Sequence, residues 1–237
     1  YKAAGNIRSA FILCAIVIFV LMLLHTLMMI LSVEKPAISE GKGSYNPLKQ
    51  FALVLKNKDV RRVNRVFIIW NIAFYSTIPY YGTYMIKELR FSLQFVSVLS
   101  IIYSTVRVLV SRFWGRYADR KSFAVMIRLC FLIMSIGFFL NVFAIPSNGK
   151  VLFILYNVFH GIAMGGINSA LINLVFDYVP VEMRSDALAM NQATAGLVGF
   201  FATLIMSSLV TFIQKHENHL FGIPVYAQQA TSFIAFV

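Results

Sequence analysis

The residues of this sequence that could do chemistry lie inside stretches that are otherwise almost wholly apolar. Asn157, His160, Gly161, Met164 and Asn168 fall on one ~100° arc of a helix that turns ~100° per residue. Ser97, Ser100, Ser104, Arg107 and Ser111 follow spacings of 3, 4, 3 and 4 residues, which confines them to an arc of roughly 60–80°. Asn71, Tyr75, Pro79 and Gly82 recur at i, i+4, i+8 and i+11, close to one helix face. Such hydroxyls, amides, one imidazole and one guanidinium can bind, orient and hydrate a small solute. Histidine adds proton exchange, because its ordinary pKa of ~6.5 lets modest shifts carry it across physiological pH. Covalent chemistry is not offered. The sequence has no Walker-type glycine loop, no Gly-x-Ser-x-Gly elbow, no His-Glu-x-x-His helix and no paired carboxylates inside an apolar run. Cys14 and Cys130 sit within apolar runs without metal-ligand spacing. No catalytic residue, cofactor or metal is expected.

A membrane must hold these groups in place. The 237 residues are 59% hydrophobic and only 13% charged, with a mean hydropathy of +0.76, whereas a soluble domain carries about 25% charged residues. Crossing a bilayer takes ~20 apolar residues at 1.5 Å rise. Six runs qualify: Ile7 to Val33, Val66 to Ile86, 92–113, 122–145, 151–177 and 187–213. A seventh begins at Phe221 and is cut off at Val237. The expected fold is therefore all-α, a polytopic membrane helix bundle of six complete transmembrane helices plus a truncated seventh. Tyr1 is not an initiator methionine, so the sequence reads as a fragment of a longer protein. The first span, apolar on every face, and the fourth, nearly featureless apart from Ser135 and Asn141, suit peripheral positions against lipid. Gly161-x-x-x-Gly165, and Gly196 with Gly199 and Thr203, should let helices approach closely.

Two of the polar groups have competing roles that the sequence leaves open. Arg107 either snorkels to the headgroups or lines a solute path. His160 is either functional, the default for an intramembrane ionisable group, or a structural residue hydrogen-bonded beside Asn157. Tyr80, Tyr81 and Tyr84, clustered near the outer end of the second span, read as an interfacial aromatic belt.

The charges sort by side. The loop after the first span holds Lys35, Lys42, Lys49, Lys56, Lys58, Arg61, Arg62 and Arg65. Arg112, Arg116, Arg120 and Lys121 mark the turn after the third span, and Arg184 the turn after the fifth. The opposite loops hold six cations against these thirteen. That asymmetry is the positive-inside pattern, so the net charge of +12 reports topology and no nucleic-acid face. The expected organisation is a peripheral transmembrane helix over 1–33, a basic cytoplasmic linker over 34–64 and a membrane helix bundle over 65–237. From Pro47 to Arg65, Leu48, Phe51, Ala52 and Leu55 recur at helical spacing. This stretch is either an amphipathic helix on the membrane surface or a solvated basic linker.

Trp114-Gly115-Arg116-Tyr117-Ala118-Asp119-Arg120-Lys121-Ser122 reads as a compact charged turn between two spans. Gly115 should let the flanking backbones approach closely. Asp119, an acid among cations, should have a specific partner. The Gly-x-x-x-Asp-Arg-x-Ser pattern resembles the cytoplasmic loop signature of the major facilitator superfamily of secondary transporters. The match rests on Gly115, Asp119 and Arg120. It departs at Ser122, where the family usually has a second glycine, and at Phe123-Ala124, where a basic run usually follows. A second charged stretch, from Asp177 through Pro180 and Glu182 to Arg184, is similar to the family's corresponding loop.

The resemblance implies inverted repeats, with this chain covering the last helix of one half, the linker and most of the other half. It implies alternating-access transport of a small-molecule substrate by a monomeric, multi-pass protein of the cell membrane, embedded in the lipid bilayer, with protons or sodium as coupling ion. Asp177 and Arg184 would pair with Arg120 and Asp119 beside Gly115 as a cytoplasmic gate. The solute path would draw on Asn71, Tyr75, Ser100, Ser104, Arg107, Asn157, His160 and Asn168. No carboxylate lies near the expected midplane, so proton coupling would fall to the absent half or to His160. An intramembrane enzyme with His160 as base, and a channel, are the readings from other classes.

Overall fold

The structure, a computed structural model, describes residues 4–31, 47–220 and 223–237. The chain divides into two units, Tyr1–Tyr45 and Asn46–Val237. In the first, α1 (Ala4–Leu31) is one continuous helix of 28 residues, with Ile, Leu, Val, Met and Phe distributed around it. Its Thr26 hydroxyl donates to the Met22 carbonyl at 2.9 Å, so a polar group in an apolar helix is satisfied within its own backbone. Residues 32–46, with the first part of the linker, lie outside the described residues.

The second unit begins with α2 (Pro47–Val54) and α3 (Lys58–Thr83). The single amphipathic helix expected from Pro47 to Arg65 is divided by Leu55–Asn57. Asn57 starts α3 by accepting the backbone amides of Asp59 at 2.9 Å and Val60 at 3.2 Å. Arg61, Arg62 and Arg65 consequently belong to the first turns of α3. This helix ends in a π-helical turn, Tyr84–Glu88, five residues beyond Pro79. Then come α4 (Leu93–Arg120), α5 (Phe123–Val142), α6 (Gly149–Tyr178), a short 3-10 turn (Val181–Met183) and α7 (Arg184–Lys215). A two-residue antiparallel pair joins β1 (His219–Leu220) to β2 (Ile223–Pro224). The final helix, α8 (Ala227–Phe236), starts six residues later than the apolar run at Phe221 suggested, because the strand pair and Pro224 occupy the intervening chain.

Among the described residues, five helices are long and apolar enough to cross a membrane: Phe11–Leu31, Leu93–Arg120, Phe123–Val142, Gly149–Tyr178 and Val181–Lys215. The expected count of six plus a seventh is not reached by this measure. α3 has the length, 26 residues, but arginines crowd one end and Asn71, Ser76, Thr77, Pro79 and tyrosines interrupt the rest. α8 has ten residues, or ~15 Å at 1.5 Å per residue.

α6 is the spine of the second unit, packed along both α4 and α5, while α3 packs along α7 and both α3 and α5 meet α8. Between helices in lipid there is little hydrophobic gain, so close contact depends on small residues. A methyl on Gly161 would stand 2.8 Å from the Tyr103 carbonyl, and one on Gly165 2.7 Å from Val110 Cγ2. A methyl on Gly166 would meet the Cys130 sulfur at 2.6 Å. The Gly161-x-x-x-Gly165 pair therefore seats α4 as expected, and Gly166 seats α5. Gly199 admits the Tyr75 ring in the same way, but Gly196 has open space beside it.

Trp114 and Asp119 lie on α4, not in a turn. Nothing between them breaks a helix, so α4 continues to Arg120 and the turn shrinks to Lys121 and Ser122. Trp114 is buried, and its indole donates to the Ile162 carbonyl at 2.7 Å.

Candidate functional site

Three of the expected path residues meet at one cavity. It measures about 190 Å³ and lies between α3, α4 and α6. Ser100 reaches it from α4, and Asn157 and His160 from α6. Helical geometry brings them there: Asn157 and His160 are three residues apart on α6, and the close α4–α6 packing at Gly161 draws the Ser100 face alongside. Ser100 donates to Val96 O at 3.2 Å, and Asn157 Nδ2 to Phe153 O at 2.7 Å. The Asn157 carbonyl oxygen stays available as an acceptor.

The His160 ring is flanked by Tyr103 at 4.6 Å and Tyr156 at 5.3 Å between ring centroids. Its Nε2 is buried and has no hydrogen-bond partner among the described residues. Arg107, one turn along α4 from Tyr103, donates from Nη1 to the Tyr103 hydroxyl at 3.3 Å. Of the row Arg107–Tyr103–His160 only His160 lines the cavity, and Tyr103 and Arg107 follow behind it. Ser104 is exposed on the same helix, without a place in the cavity wall.

Other expected path residues go elsewhere. Asn71 is buried and donates to Phe67 O at 2.7 Å. Tyr75 fits its ring against Gly199 and so serves α3–α7 packing. Asn168 is exposed on α6, eight residues beyond His160.

The tyrosines near the end of α3 do not form a belt. Tyr81 and Tyr84 are buried, and Tyr80 is half-buried. Tyr84 donates to Ala144 O at 2.8 Å and Tyr80 to Thr203 O at 2.5 Å. The Tyr81 hydroxyl lies 3.2 Å from Ser232 Oγ, and its ring meets Tyr156 edge-on at 4.9 Å. Each phenol has found an interior partner, as an aromatic hydroxyl must when buried. Tyr81 and Tyr156 also line the cavity. Sequence reasoning missed both, and Tyr103 with them. The Tyr103–Arg107 and Tyr156–His160 spacings, each four residues on one helix, were the available signal.

The expected gate residues do not pair. Arg184 donates from Nε to Val179 O at 3.1 Å and from Nη2 to Phe176 O at 2.6 Å. It thereby caps the carbonyl end of α6, where a cation is favoured. Asp119, Arg120 and Asp177 are exposed, and among the described residues no ion pair joins them to one another or to Arg184. Among the described residues, Gly115 has no atom of a neighbouring element within 4 Å of where a side chain would begin. The Asn57 side chain lies 3.8 Å from the Met183 sulfur, so the start of α3 and the α6–α7 turn share one end of the unit.

Two further clefts run along α3 and α5. One, of about 230 Å³, is lined mainly by apolar side chains including Trp70 and Phe131. The other, of about 380 Å³, is flanked by Arg62 and Arg128. Neither brings together the expected path residues.

Residues 2–203 match the family model of the Major Facilitator Superfamily. The match spans most of the chain, and the chain belongs to this superfamily of membrane transporters. Comparison with the curated proteins and with the solved structures gave no match.

Proposed function

We propose that the protein carries a small solute across the membrane by alternating access and that the cavity between α3, α4 and α6 belongs to its path. The observation that carries this reading is the meeting of Ser100, Asn157 and His160 at one cavity inside a transporter-family bundle. Polar side chains within membrane helices are costly unless they face protein or water. Here they converge from two helices, with aromatic walls to hold a solute body. The positive-inside pattern supports a cytoplasmic position, at the cell membrane, for the end that bears Asn57 and Met183 and for loop 34–64. The expected pairing of opposed helix triples and the six-plus-one span count belong to this proposal too, with α3 crossing as a polar, solute-facing span. So does coupling to protons or sodium.

The test is a cysteine at position 100 in protein lacking Cys14 and Cys130. Reaction with a membrane-impermeant thiol reagent from each side in turn is expected. Reaction from one side only, whatever solutes are present, would end the carrier reading.

A further inference from the structure

We propose that the solute taken by this cavity is an organic anion with an aromatic or otherwise planar body. The proposal rests on the transport reading and adds the charge of the substrate to it.

Arg107 lies near the middle of a 28-residue membrane-crossing helix and is half-buried. A guanidinium carries five N–H donors in a planar fork. The structure gives it one acceptor, the Tyr103 hydroxyl at 3.3 Å, and among the described residues no carboxylate pairs with it. An arginine at such depth is costly and is normally balanced by a partner. The fork best matches a carboxylate or phosphate, which it can grip through two parallel hydrogen bonds.

The surroundings favour the same charge. Ser100 and Asn157 bring a hydroxyl and an amide to the cavity, and no acid lines it. A cationic solute would therefore feel the charge of Arg107, set behind Tyr103 and His160, with nothing in the wall to offset the repulsion. His160 Nε2, buried and unpartnered, stands between the Arg107–Tyr103 pair and the cavity and can donate to an anionic oxygen in its N–H tautomer. Also around the cavity, Tyr81, Phe153 and Tyr156 offer ring faces and edges within 4.9–6.1 Å of one another. Such walls suit a flat apolar body better than a heavily hydrated one. Arg107 is seven residues from Ser100 along α4, about 10 Å of rise. That separation sets the charged and planar ends of the solute apart.

The test uses the purified intact transporter and matched probes: benzoate and phenyl phosphate against benzamide and benzylamine. Thermal stabilisation by the two anions is expected, without stabilisation by the amide or the amine. Arg107→Gln should weaken anion binding at least tenfold, while Arg107→Lys, which keeps the charge but loses the fork, should retain part of it. The melting temperature of each variant without probe reports folding. Stabilisation by the amine or amide as strong as by the anions, no stabilisation by either anion, or unchanged anion binding in folded Arg107→Gln would overturn the proposal. Anion binding by a protein whose Ser100→Cys variant reacts from one side only would instead remove the carrier reading and leave the anion site standing.

Discussion

Gly161 lies so close beneath the carbonyl of Tyr103 that a single added methyl would stand 2.8 Å from the oxygen and 3.0 Å from Val106 Cβ on the same helix. The obstructing atom is backbone and cannot turn away. Gly161→Ala should therefore force α4 and α6 apart and cost about 1–3 kcal/mol, the usual range for overpacking. Gly115→Ala is the control, since nothing lies within 4 Å of its new methyl. It should be neutral or stabilising by up to about 1 kcal/mol through helix propensity. Unfolding in mixed detergent micelles measures both, and equal losses would contradict the packing described.

The end of α3 supplies a second prediction. Pro79 has no amide to offer the Tyr75 carbonyl, and Thr203 Oγ1 approaches that oxygen at 3.5 Å from α7. Tyr80 answers by donating to Thr203 O at 2.5 Å. Tyr80→Phe should cost about 1 kcal/mol, the typical net worth of one hydrogen bond. Pro79→Ala restores the missing rung. Its intrinsic helix gain approaches ~3 kcal/mol, but neighbouring groups already compensate much of the defect in a membrane helix, so about 1 kcal/mol is expected. A destabilised Pro79→Ala protein would argue against this account.

Arg184 and Asp119 should respond unequally to removal of charge. Arg184→Ala frees the Phe176 and Val179 carbonyls and should cost about 1–2 kcal/mol. Asp119 is exposed and has no ion-pair partner among the described residues, so Asp119→Asn should change stability by less than about 0.5 kcal/mol. Its effect on the accessibility of the cytoplasmic end is then a direct measure of any gating role. Comparable destabilisation by both substitutions would revive the paired gate.

Membrane sidedness gives a fourth. Lys121 and Lys150 stand just outside the two ends of the α5 segment, Phe123–Val142. Twenty residues separate the two faces by about 30 Å. Cysteines at the two positions should react with an impermeant reagent from opposite sides, with position 121 on the same side as position 57. Labelling of 121 and 150 from a single side would rule out α5 as a span.

The stripes that periodicity can detect were legible. The Ser97-to-Ser111 face proved helical within α4, and Asn157 and His160 reached one cavity because a three-residue spacing fixes their direction whatever surrounds them. Two features were not legible. Tyrosines at the end of a span have the same sequence signature whether their hydroxyls meet headgroups or a neighbouring carbonyl, and only tertiary packing turned Tyr81 and Tyr84 inward. The charged run from Trp114 to Arg120 looked like a turn because charge marks where chain leaves lipid. It does not mark where a helix stops, and only Lys121 and Ser122 fall outside helix. The gate pairing failed for a related reason: Arg184 found unsatisfied carbonyls at the end of α6 closer than any carboxylate.

The glycines of α6 also distribute compliance unevenly. At Gly161 the Tyr103 carbonyl of α4 rests directly on α6, Gly165 receives the Val110 side chain of α4, and Gly166 receives the Cys130 sulfur of α5. Helices seated this closely on glycines resist sliding and rolling, so α4, α5 and α6 should move as a single wedge. α3 is built otherwise: one rung is absent at Pro79, and the ladder changes pitch through Tyr84–Glu88. Strain introduced anywhere in the unit will be relieved where the rungs are fewest. Bending should concentrate in the last two turns of α3, beside the cavity rather than across it, so that the wall carrying Tyr81 can yield while the wall carrying Ser100, Asn157 and His160 keeps its shape.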